Sequence, residues 1–304
     1  MNYVMLYQMM VHKVQSPEKI IYTFYCSSFE SQPQLAADFE AKYLQLKKLG
    51  QGGFGSVYAG FRKADNLPVA IKHVPQVRVE RQPTVLNGVK YLVPTEVLLL
   101  LKVAEPELLG RTAIVSLLDW YDLEQEILLI MERPVPAMDL LKYLKNNKGP
   151  LTEYTAKIIM KQLVEAAIQI QSKGVFHRDI KTENVLIQTT SDGLRVRIID
   201  FGCGCISRMK PFHIFVGTSA YAPPEFHMYG TYKAGPTTVW QLGVLLYEIT
   251  DGYRQFKTTR FLCKLIKFNK KLSKDCLDLL NRCLAVNPRN RITLEQMLLH
   301  PWLT

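Results

Sequence analysis

Two polar motifs in the second half of the chain limit its possible folds more than any other feature. The first is His177-Arg178-Asp179-Ile180-Lys181-Thr182-Glu183-Asn184, and the second, Asp200-Phe201-Gly202, begins sixteen residues after Asn184. Carboxylates and an amide at this spacing suit a site that accepts a proton and holds a divalent cation on phosphate oxygens. Each residue taken singly is a loop turn or a surface charge, but the ordered pair of motifs predicts phosphoryl transfer.

A glycine-rich segment near residue 50 supports this interpretation. Gly50-Gln51-Gly52-Gly53-Phe54-Gly55-Ser56-Val57 fits G-x-G-x-x-G-x-V, in which backbone amides approach phosphate oxygens closely. Alone it is weak evidence, because an ordinary glycine turn has about even odds and dinucleotide-binding loops use the same glycines before a helix. Here a strand-like Val57-Tyr58-Ala59 follows, which favours a hairpin over a nucleotide. The nucleotide-binding candidates in this segment are Gly50, Gly52, Gly53, Phe54, Gly55 and Val57.

A lysine on the next strand-like run is the expected partner of those phosphates. In Val69-Ala70-Ile71-Lys72 the strand would place the Lys72 ammonium under the glycine segment. Glu96, on a helix that Pro94 would open, is its expected counter-charge. An isolated surface lysine and an exposed helix glutamate are the plainer alternatives.

The remaining chemistry falls to the two motifs. Asp179 is expected to accept the proton of the attacking hydroxyl, and Lys181 to neutralise the phosphoryl group in transfer. Asn184 and Asp200 are the expected metal ligands. Asp179 and Lys181, together with Lys72 and Glu96, form the predicted catalytic set.

The pattern along the chain predicts an α+β protein of two lobes. Short strand-like runs over Tyr43–Leu49, Ser56–Phe61 and Val69–His73 predict an antiparallel meander, and Ile127–Met131 another strand. After Pro134 and Pro136 the pattern becomes helical, most clearly from Thr152 to Gly174. We therefore predict an extension over residues 1 to about 40, outside the fold and flexible, a small β-rich lobe with one main helix over about 41–134, and a larger helical lobe over about 135–304.

Charge and cysteine content narrow the functional class. The net charge is +11, and residues 254–291 hold eleven Lys or Arg against two Asp. Without an interleaved aromatic platform or a base-reading motif, a solvated basic face is favoured over a nucleic-acid site. The six cysteines have no paired C-x-x-C spacing, which favours a reducing compartment, the cytoplasm or also the nucleus. No apolar run reaches the ~20 residues that span a bilayer, so we expect no membrane partner.

With these motifs in place, residues 43 to 304 resemble the eukaryotic protein kinase family. Pro223-Pro224-Glu225 stands for its A-P-E motif, and Arg291 would pair with Glu225. Lys181 and the Gly217-Thr218 step resemble the serine/threonine branch. The resemblance implies a bilobal kinase fold that binds ATP and Mg2+ between its lobes and phosphorylates Ser or Thr of protein substrates. Its site residues then include Leu49 and Ala70 on the nucleotide.

Within that family the chain resembles the Pim group of kinases. The linker Glu132-Arg133-Pro134-Val135-Pro136 carries the most specific likeness. Pro134 has no amide hydrogen, which leaves the Glu132 carbonyl as the polar contact for adenine. The resemblance also implies a monomer that prefers basic residues upstream of the target hydroxyl, read by Asp139 and Glu183. Lys142 stands where close relatives are acidic and predicts a weakened preference.

Several positions depart from the family pattern. Thr238 replaces an aspartate that braces the catalytic loop in most kinases, Gln241 replaces a serine, and Gln255 replaces a common proline. Residues 208–216 contain no Ser, Thr or Tyr, which predicts activity without phosphorylation of this segment. The rival interpretation is a pseudokinase that acts by binding partners through the basic residues 254–291, although Lys72, Asp179 and Asp200 are all present.

Overall fold

The computed structural model describes residues 32–53, 55–86, 89–105, 110–252 and 255–304. These residues form two compact units. Unit 1 holds the described residues up to 105 and Ser116–Arg133, and unit 2 holds Gly110–Val115 and Pro134–Thr304. Unit 1 is rich in strands and unit 2 is mainly helical, which confirms the predicted α+β class.

Unit 1 is built on an antiparallel sheet with the strand order β1-β2-β3-β7-β6. A separate hairpin pairs β4 with β5. The predicted meander is confirmed, since β1, β2 and β3 pair successively and β3 pairs with β7. The strands are β1 (Tyr43–Gly52), β2 (Gly55–Arg62), β3 (Leu67–Pro75), β4 (Arg81–Leu86), β5 (Val89–Pro94), β6 (Leu117–Asp122) and β7 (Glu126–Glu132).

A helix precedes the sheet where the sequence suggested none. Helix α1 spans Gln32–Lys42, within a segment that we left outside the predicted domain. Its Leu35 is buried with Tyr43 and Tyr121 of the sheet, and Phe39 packs against the same cluster. Leucine and phenylalanine four residues apart supply one apolar contact per turn, a signal too short to stand out from the polar residues around it.

The helix that carries Glu96 also lies in unit 1. Helix α2 spans Thr95–Val103 and is capped by Pro94, whose missing amide hydrogen costs nothing at a helix start. Its Val97 and Leu101 are buried against Ile127 and Leu129 of β7. This packing fixes the rotation of α2 and hence the side to which Glu96 projects.

Unit 2 contains the remaining helices and three short pairings of strands. The predicted helix from Thr152 is confirmed: the Thr152 hydroxyl accepts a hydrogen bond from Thr155 N–H, and Gly174 follows its end with φ +68°. The helices are α3 (Leu140–Asn146), α4 (Glu153–Ser172), α5 (Pro224–Tyr229), α6 (Ala234–Asp251), α7 (Thr258–Leu262), α8 (Lys274–Cys283) and α9 (Leu294–Leu298). The strands are β8 (Ala137–Asp139), β9 (Val175–Phe176), β10 (Val185–Thr190), β11 (Gly193–Ile198) and β12 (Cys205–Ile206).

The core of unit 2 is centred on α6, which is buried along most of its length. The predicted pair of Arg291 and Glu225 is present as two parallel hydrogen bonds of 3.0 and 2.8 Å, with both side chains almost fully buried. Bidentate geometry of this kind compensates the cost of burying two charges. Within the described residues, no helix has the length and apolar character needed to cross a membrane.

Candidate active site

In unit 1, the structure brings Lys72 and Glu96 together. The Lys72 ammonium lies 2.7 and 2.9 Å from the two carboxylate oxygens of Glu96, and only 4% of Lys72 is exposed. Lys72 is opposite Val57 on β2 and Leu129 on β7. A buried strand therefore fixes the stem of the lysine, and α2 supplies the charge that holds its ammonium.

Three of the predicted nucleotide contacts share one face of the sheet. Residues two apart on a strand, and residues directly opposite in an antiparallel pair, project to the same side. Ala70 lies two residues before Lys72, and Val57 lies opposite it, so all three side chains point the same way. Leu49 lies on β1 at a register shift between Lys48 and Gly50 and is half exposed.

The glycine segment divides into two kinds of position. A Cβ atom added at Gly50, Gly52 or Gly53 would meet nothing within 4 Å, so these residues leave open space above the sheet. A Cβ at Gly55 would collide with the backbone carbonyl of His73 on β3. Gly55 is thus required by strand packing, whereas the others keep a surface clear. Phe54 lies outside the described residues.

The predicted adenine contact, Glu132, ends β7. Its N–H donates to the Ser116 carbonyl at 3.0 Å, and its carboxylate accepts from the Ser116 N–H at 2.8 Å. These paired bonds fix the backbone at the end of the strand.

In unit 2, Asp179 is the centre of a compact polar network. One of its carboxylate oxygens accepts from the N–H and the hydroxyl of Thr218, at 2.8 and 2.6 Å. The other lies 2.8 Å from the Lys181 ammonium and 3.1 Å from the Asn184 amide nitrogen. Asp179 is 6% exposed. Contacts to both oxygens hold the carboxylate in one orientation.

Lys181 is oriented by the same network. Its ammonium donates to the Thr218 hydroxyl at 2.8 Å as well as to Asp179. Burial opposes the charge, but the hydrogen bond and the attraction to Asp179 outweigh it, so the pKa of Lys181 is raised. A permanently charged ammonium at this place suits the stabilisation of negative charge.

Asn184 and Asp200 fit the metal-binding role that the sequence predicts. The Ile199 N–H donates to the Asn184 carbonyl at 3.0 Å, which places Asp200 beside Asn184. The Asn184 amide nitrogen donates to Asp179, leaving its side-chain oxygen as the acceptor. In the described residues no group of three or more His, Cys, Asp or Glu suits a metal. Two protein oxygens fit a divalent ion whose other ligands are phosphates and water.

The backbone is strained at two residues of the motifs. Arg178 and Asp200 have φ values of +67° and +65°, a region that costs non-glycine residues about 1 kcal/mol or more.

Burial lowers the pKa of the neighbouring His177, so its ring stays neutral and packs against Phe201 at 4.7 Å between ring centroids. Burial also raises the pKa of Cys203 to about 12, which makes it an unreactive thiol at neutral pH.

The two predicted substrate residues make local contacts. Asp139 caps α3 by accepting the Lys142 N–H at 2.8 Å, and Glu183 is exposed and accepts from the Thr182 hydroxyl. Sequence reasoning missed the contacts of Thr218 with Asp179 and Lys181. It noted Gln241 only as a departure, although an amide inside the apolar run of α6 is itself a signal.

The chain matches a known protein family over most of its length. A model described as the protein kinase domain matches residues 43–303. The chain belongs to the protein kinase domain family. It is 40% identical over 269 residues to the serine/threonine-protein kinase pim-2 of Danio rerio, which covers 87% of this chain and 86% of that protein. It is 32% identical to the serine/threonine-protein kinase prk-2 of Caenorhabditis elegans, which covers 87% and 58%.

A more distant relative extends the same class. The PAS domain-containing serine/threonine-protein kinase of Mus musculus is 29% identical over 88% of this chain and 19% of its own length. The protein is therefore a serine/threonine protein kinase, a transferase whose family uses ATP and a divalent metal. The predicted likeness to the Pim group is confirmed.

Proposed function

We propose that this kinase transfers the γ-phosphoryl group of ATP to Ser and Thr hydroxyls through the network around Asp179. Asp179 orients the hydroxyl and accepts its proton, and Lys181 stabilises the negative charge of the group in transfer. Lys72, held by Glu96, orients the phosphates. The observation that carries the proposal is the arrangement of four donors on the two Asp179 oxygens.

The proposed metal is Mg2+, held by Asp200 and the side-chain oxygen of Asn184. Magnesium prefers oxygen ligands and keeps several water or phosphate oxygens in its shell, which two protein ligands permit. When bound, it neutralises phosphate charge. Asn184 also donates to Asp179 at 3.1 Å, so one side chain links the metal site to the proton acceptor.

We further propose activity without phosphorylation of residues 208–216. Many kinases use the arginine before the catalytic aspartate to bind an activating phosphate. Here the Arg178 guanidinium is buried and donates to the backbone carbonyls of Cys203 and, at 3.0 Å, of Gly204. Backbone oxygens thus accept the hydrogen bonds of the Arg178 guanidinium that an activating phosphate would otherwise accept.

Aromatic packing supports the same proposal. Phe212 and Tyr232 exchange backbone hydrogen bonds of 2.8 and 3.0 Å and are buried with Phe176. The Tyr232 hydroxyl donates to the Ile214 carbonyl at 2.9 Å, and the Arg208 guanidinium lies 4.3 Å from the centre of the Phe212 ring. These contacts anchor the segment 208–216 without a phosphate group.

Thr218 is a poor activating site on the same argument. Its hydroxyl is already bound to Asp179 and Lys181. A phosphate there would place about two negative charges against the catalytic carboxylate. We propose that Thr218 orients Asp179 in its unmodified form.

The proposed substrates are proteins with basic residues upstream of the target hydroxyl, taken by a monomeric enzyme. Glu183 is exposed, whereas Asp139 engages one carboxylate oxygen in capping α3. Lys142, three residues after Asp139, is exposed, and its positive charge opposes the binding of basic residues. A weak preference follows, since exposed charge pairs contribute roughly 0.2–1 kcal/mol.

Transfer of radiolabelled phosphate from ATP to a Ser/Thr peptide library tests the proposal. The wild-type protein and Asp179→Asn are compared, with Asp192→Asn as the matched control because Asp192 is an exposed turn carboxylate with a 2.9 Å bond to Arg195. We expect transfer by the wild type and the control only. A wild type that binds ATP but transfers nothing would identify a pseudokinase.

A further inference from the structure

Gln241, a residue of the buried helix α6, contacts the catalytic loop from inside unit 2. It is 1% exposed, and its amide nitrogen donates to the Arg178 carbonyl at 2.6 Å. Its amide oxygen accepts a longer bond, 3.4 Å, from the Ile180 N–H. These two backbone groups belong to the peptide units immediately before and after Asp179. One side chain therefore holds both peptide planes that orient the Cα–Cβ bond of Asp179.

The chemistry of the two partners explains why the residue is an amide. A carbonyl only accepts a hydrogen bond and a backbone N–H only donates one. An amide side chain satisfies both, whereas a carboxylate would oppose the Arg178 carbonyl and a serine lacks the length to reach both groups. Removing the amide would leave two buried backbone groups without this partner, which is unfavourable away from water.

On the same helix, the side chain of Thr238 bonds to its own helix and not to the catalytic loop. Thr238, where most kinases carry a bracing aspartate, donates its hydroxyl to the Ala234 carbonyl of its own helix at 3.0 Å. Residues 238 and 241 are three apart and lie on the same side of α6. The contact to the catalytic loop has thus moved by about one turn along the helix.

Support from Gln241 matters because the loop is strained at the point of contact. Arg178 has a φ of +67°, and its carbonyl is also approached by Gly217, where an added Cβ would collide with it. The Arg178 carbonyl is therefore held between Gly217 and Gln241. Packing of this kind stabilises a backbone conformation that a non-glycine residue does not favour by itself.

We propose that Gln241 is a positioning residue for Asp179 and replaces the brace that Thr238 does not provide. This inference rests on the proposed function of Asp179. Gln241 touches neither the reacting groups nor the residues assigned to ATP, so its loss should reduce turnover and leave nucleotide affinity unchanged. Displacement of a reacting group by about 1 Å costs on the order of 10²-fold.

Three variants and one control test the proposal. Gln241→Met keeps the length of the side chain and removes both hydrogen bonds, and Gln241→Glu keeps only the acceptor. The double variant Thr238→Asp with Gln241→Ser restores the pattern of most kinases. Thr250→Val is the matched control, because Thr250 is equally buried on α6 and bonds only to its own helix.

The readouts are kcat, KM for ATP and the melting temperature, measured on phosphatase-treated protein. We expect Gln241→Met to lower kcat about 10- to 100-fold with KM for ATP within about twofold. Gln241→Glu should lower kcat at least as much, because its carboxylate opposes the Arg178 carbonyl, and the double variant should recover most of the loss. Thr250→Val should keep kcat.

Two results would overturn the inference. One is an unchanged kcat in folded Gln241→Met, and the other is a loss of kcat in Thr250→Val equal to that in the Gln241 variants. If Gln241→Met fails to fold, Gln241→Glu and the double variant decide between the same outcomes. An inactive wild type would instead contradict the proposed function.

Discussion

The two units hold their functional side chains in different ways. In unit 1, Lys72 is held by the carboxylate of Glu96, and the glycines 50, 52 and 53 lie beside open space. In unit 2, Asp179 is held by three side chains and a backbone N–H, and its loop is supported by α6. Unit 1 thus leaves open space beside its glycine segment, whereas unit 2 fixes the orientation of the proposed proton acceptor.

The largest expected effects are losses of turnover, and the accompanying change in KM for ATP should differ between the two units. Asp179→Asn should lower kcat by about 10²- to 10⁴-fold with little change in KM for ATP, because it removes only the proton acceptor. Lys72→Met should lower kcat and also raise KM for ATP, because Lys72 is assigned to the phosphates in both ground and transition states. Steady-state kinetics at varied ATP concentration gives both values.

Melting temperatures serve as the control for both variants, which should stay folded. Asp200→Asn should resemble Asp179→Asn in kcat but require a higher magnesium concentration, since it removes a proposed ligand. Full activity in any of the three variants would defeat the assigned roles. Identical kinetic changes in Lys72→Met and Asp179→Asn would defeat the contrast between the units.

The next largest expected effect is a pH dependence of the stability of unit 2. Glu248, buried on α6, accepts the Tyr221 hydroxyl at 2.6 Å and the Phe256 N–H at 2.9 Å. Burial raises its pKa to about 7. A raised pKa stabilises the fold below the unfolded-state pKa, and this stability is lost as pH rises through about 7. The free energy of unfolding should therefore fall by on the order of 3 kcal/mol between about pH 5 and pH 8.

Glu248→Gln isolates this effect because it keeps an acceptor oxygen and cannot ionise. Urea unfolding of both proteins at the two pH values should show the fall in the wild type and a smaller fall in the variant. Parallel pH profiles would mean that Glu248 does not titrate in this range.

A smaller effect concerns the glycines of unit 1. Gly55→Ala should lower the free energy of unfolding by about 1–3 kcal/mol, because its Cβ meets the His73 carbonyl. Gly52→Ala meets no atom in the structure and should preserve stability while weakening ATP binding. Thermal unfolding and nucleotide titration distinguish the two. Equal loss of stability would show that the whole segment is packed, contrary to the structure.

The smallest effect concerns the surface of unit 2. Lys142→Asp should raise turnover of arginine-rich peptides by a few-fold at low salt, since about 1.4 kcal/mol is tenfold and an exposed pair contributes roughly 0.2–1 kcal/mol. Glu183→Ala should lower it. Indifference of a peptide array to both changes would show that these charges do not select substrate.

The sequence predicted those parts of the site whose chemistry demands fixed residues at fixed spacing. Lys72, Glu96, Asp179 and Asn184 follow from motifs, and the strands of unit 1 follow from short strand-like runs separated by glycines and turn residues. The hydrogen bonds of Thr218 to Asp179 could not be predicted, because they join residues that are 39 positions apart in the chain.

The support from α6 and the addition of α1 were hidden for different reasons. Gln241 binds backbone groups, and backbone partners leave no trace in the identity of the residues they belong to. Helix α1 adds Leu35 and Phe39 to the core from a segment of mixed polarity. Tertiary packing decided its conformation where local periodicity was too weak.

The proposal that unit 2 is held in place without a phosphate is tested most directly by one rate. The protein is produced in a host without other kinases, treated with phosphatase and checked by mass spectrometry, and its initial rate on a Ser/Thr peptide is compared with the untreated enzyme. We predict that the treated enzyme keeps most of its rate, because Arg178 and residues 208–216 are held without phosphate. A rate that collapses on treatment and returns after phosphorylation of Thr218 by an added kinase would contradict this account.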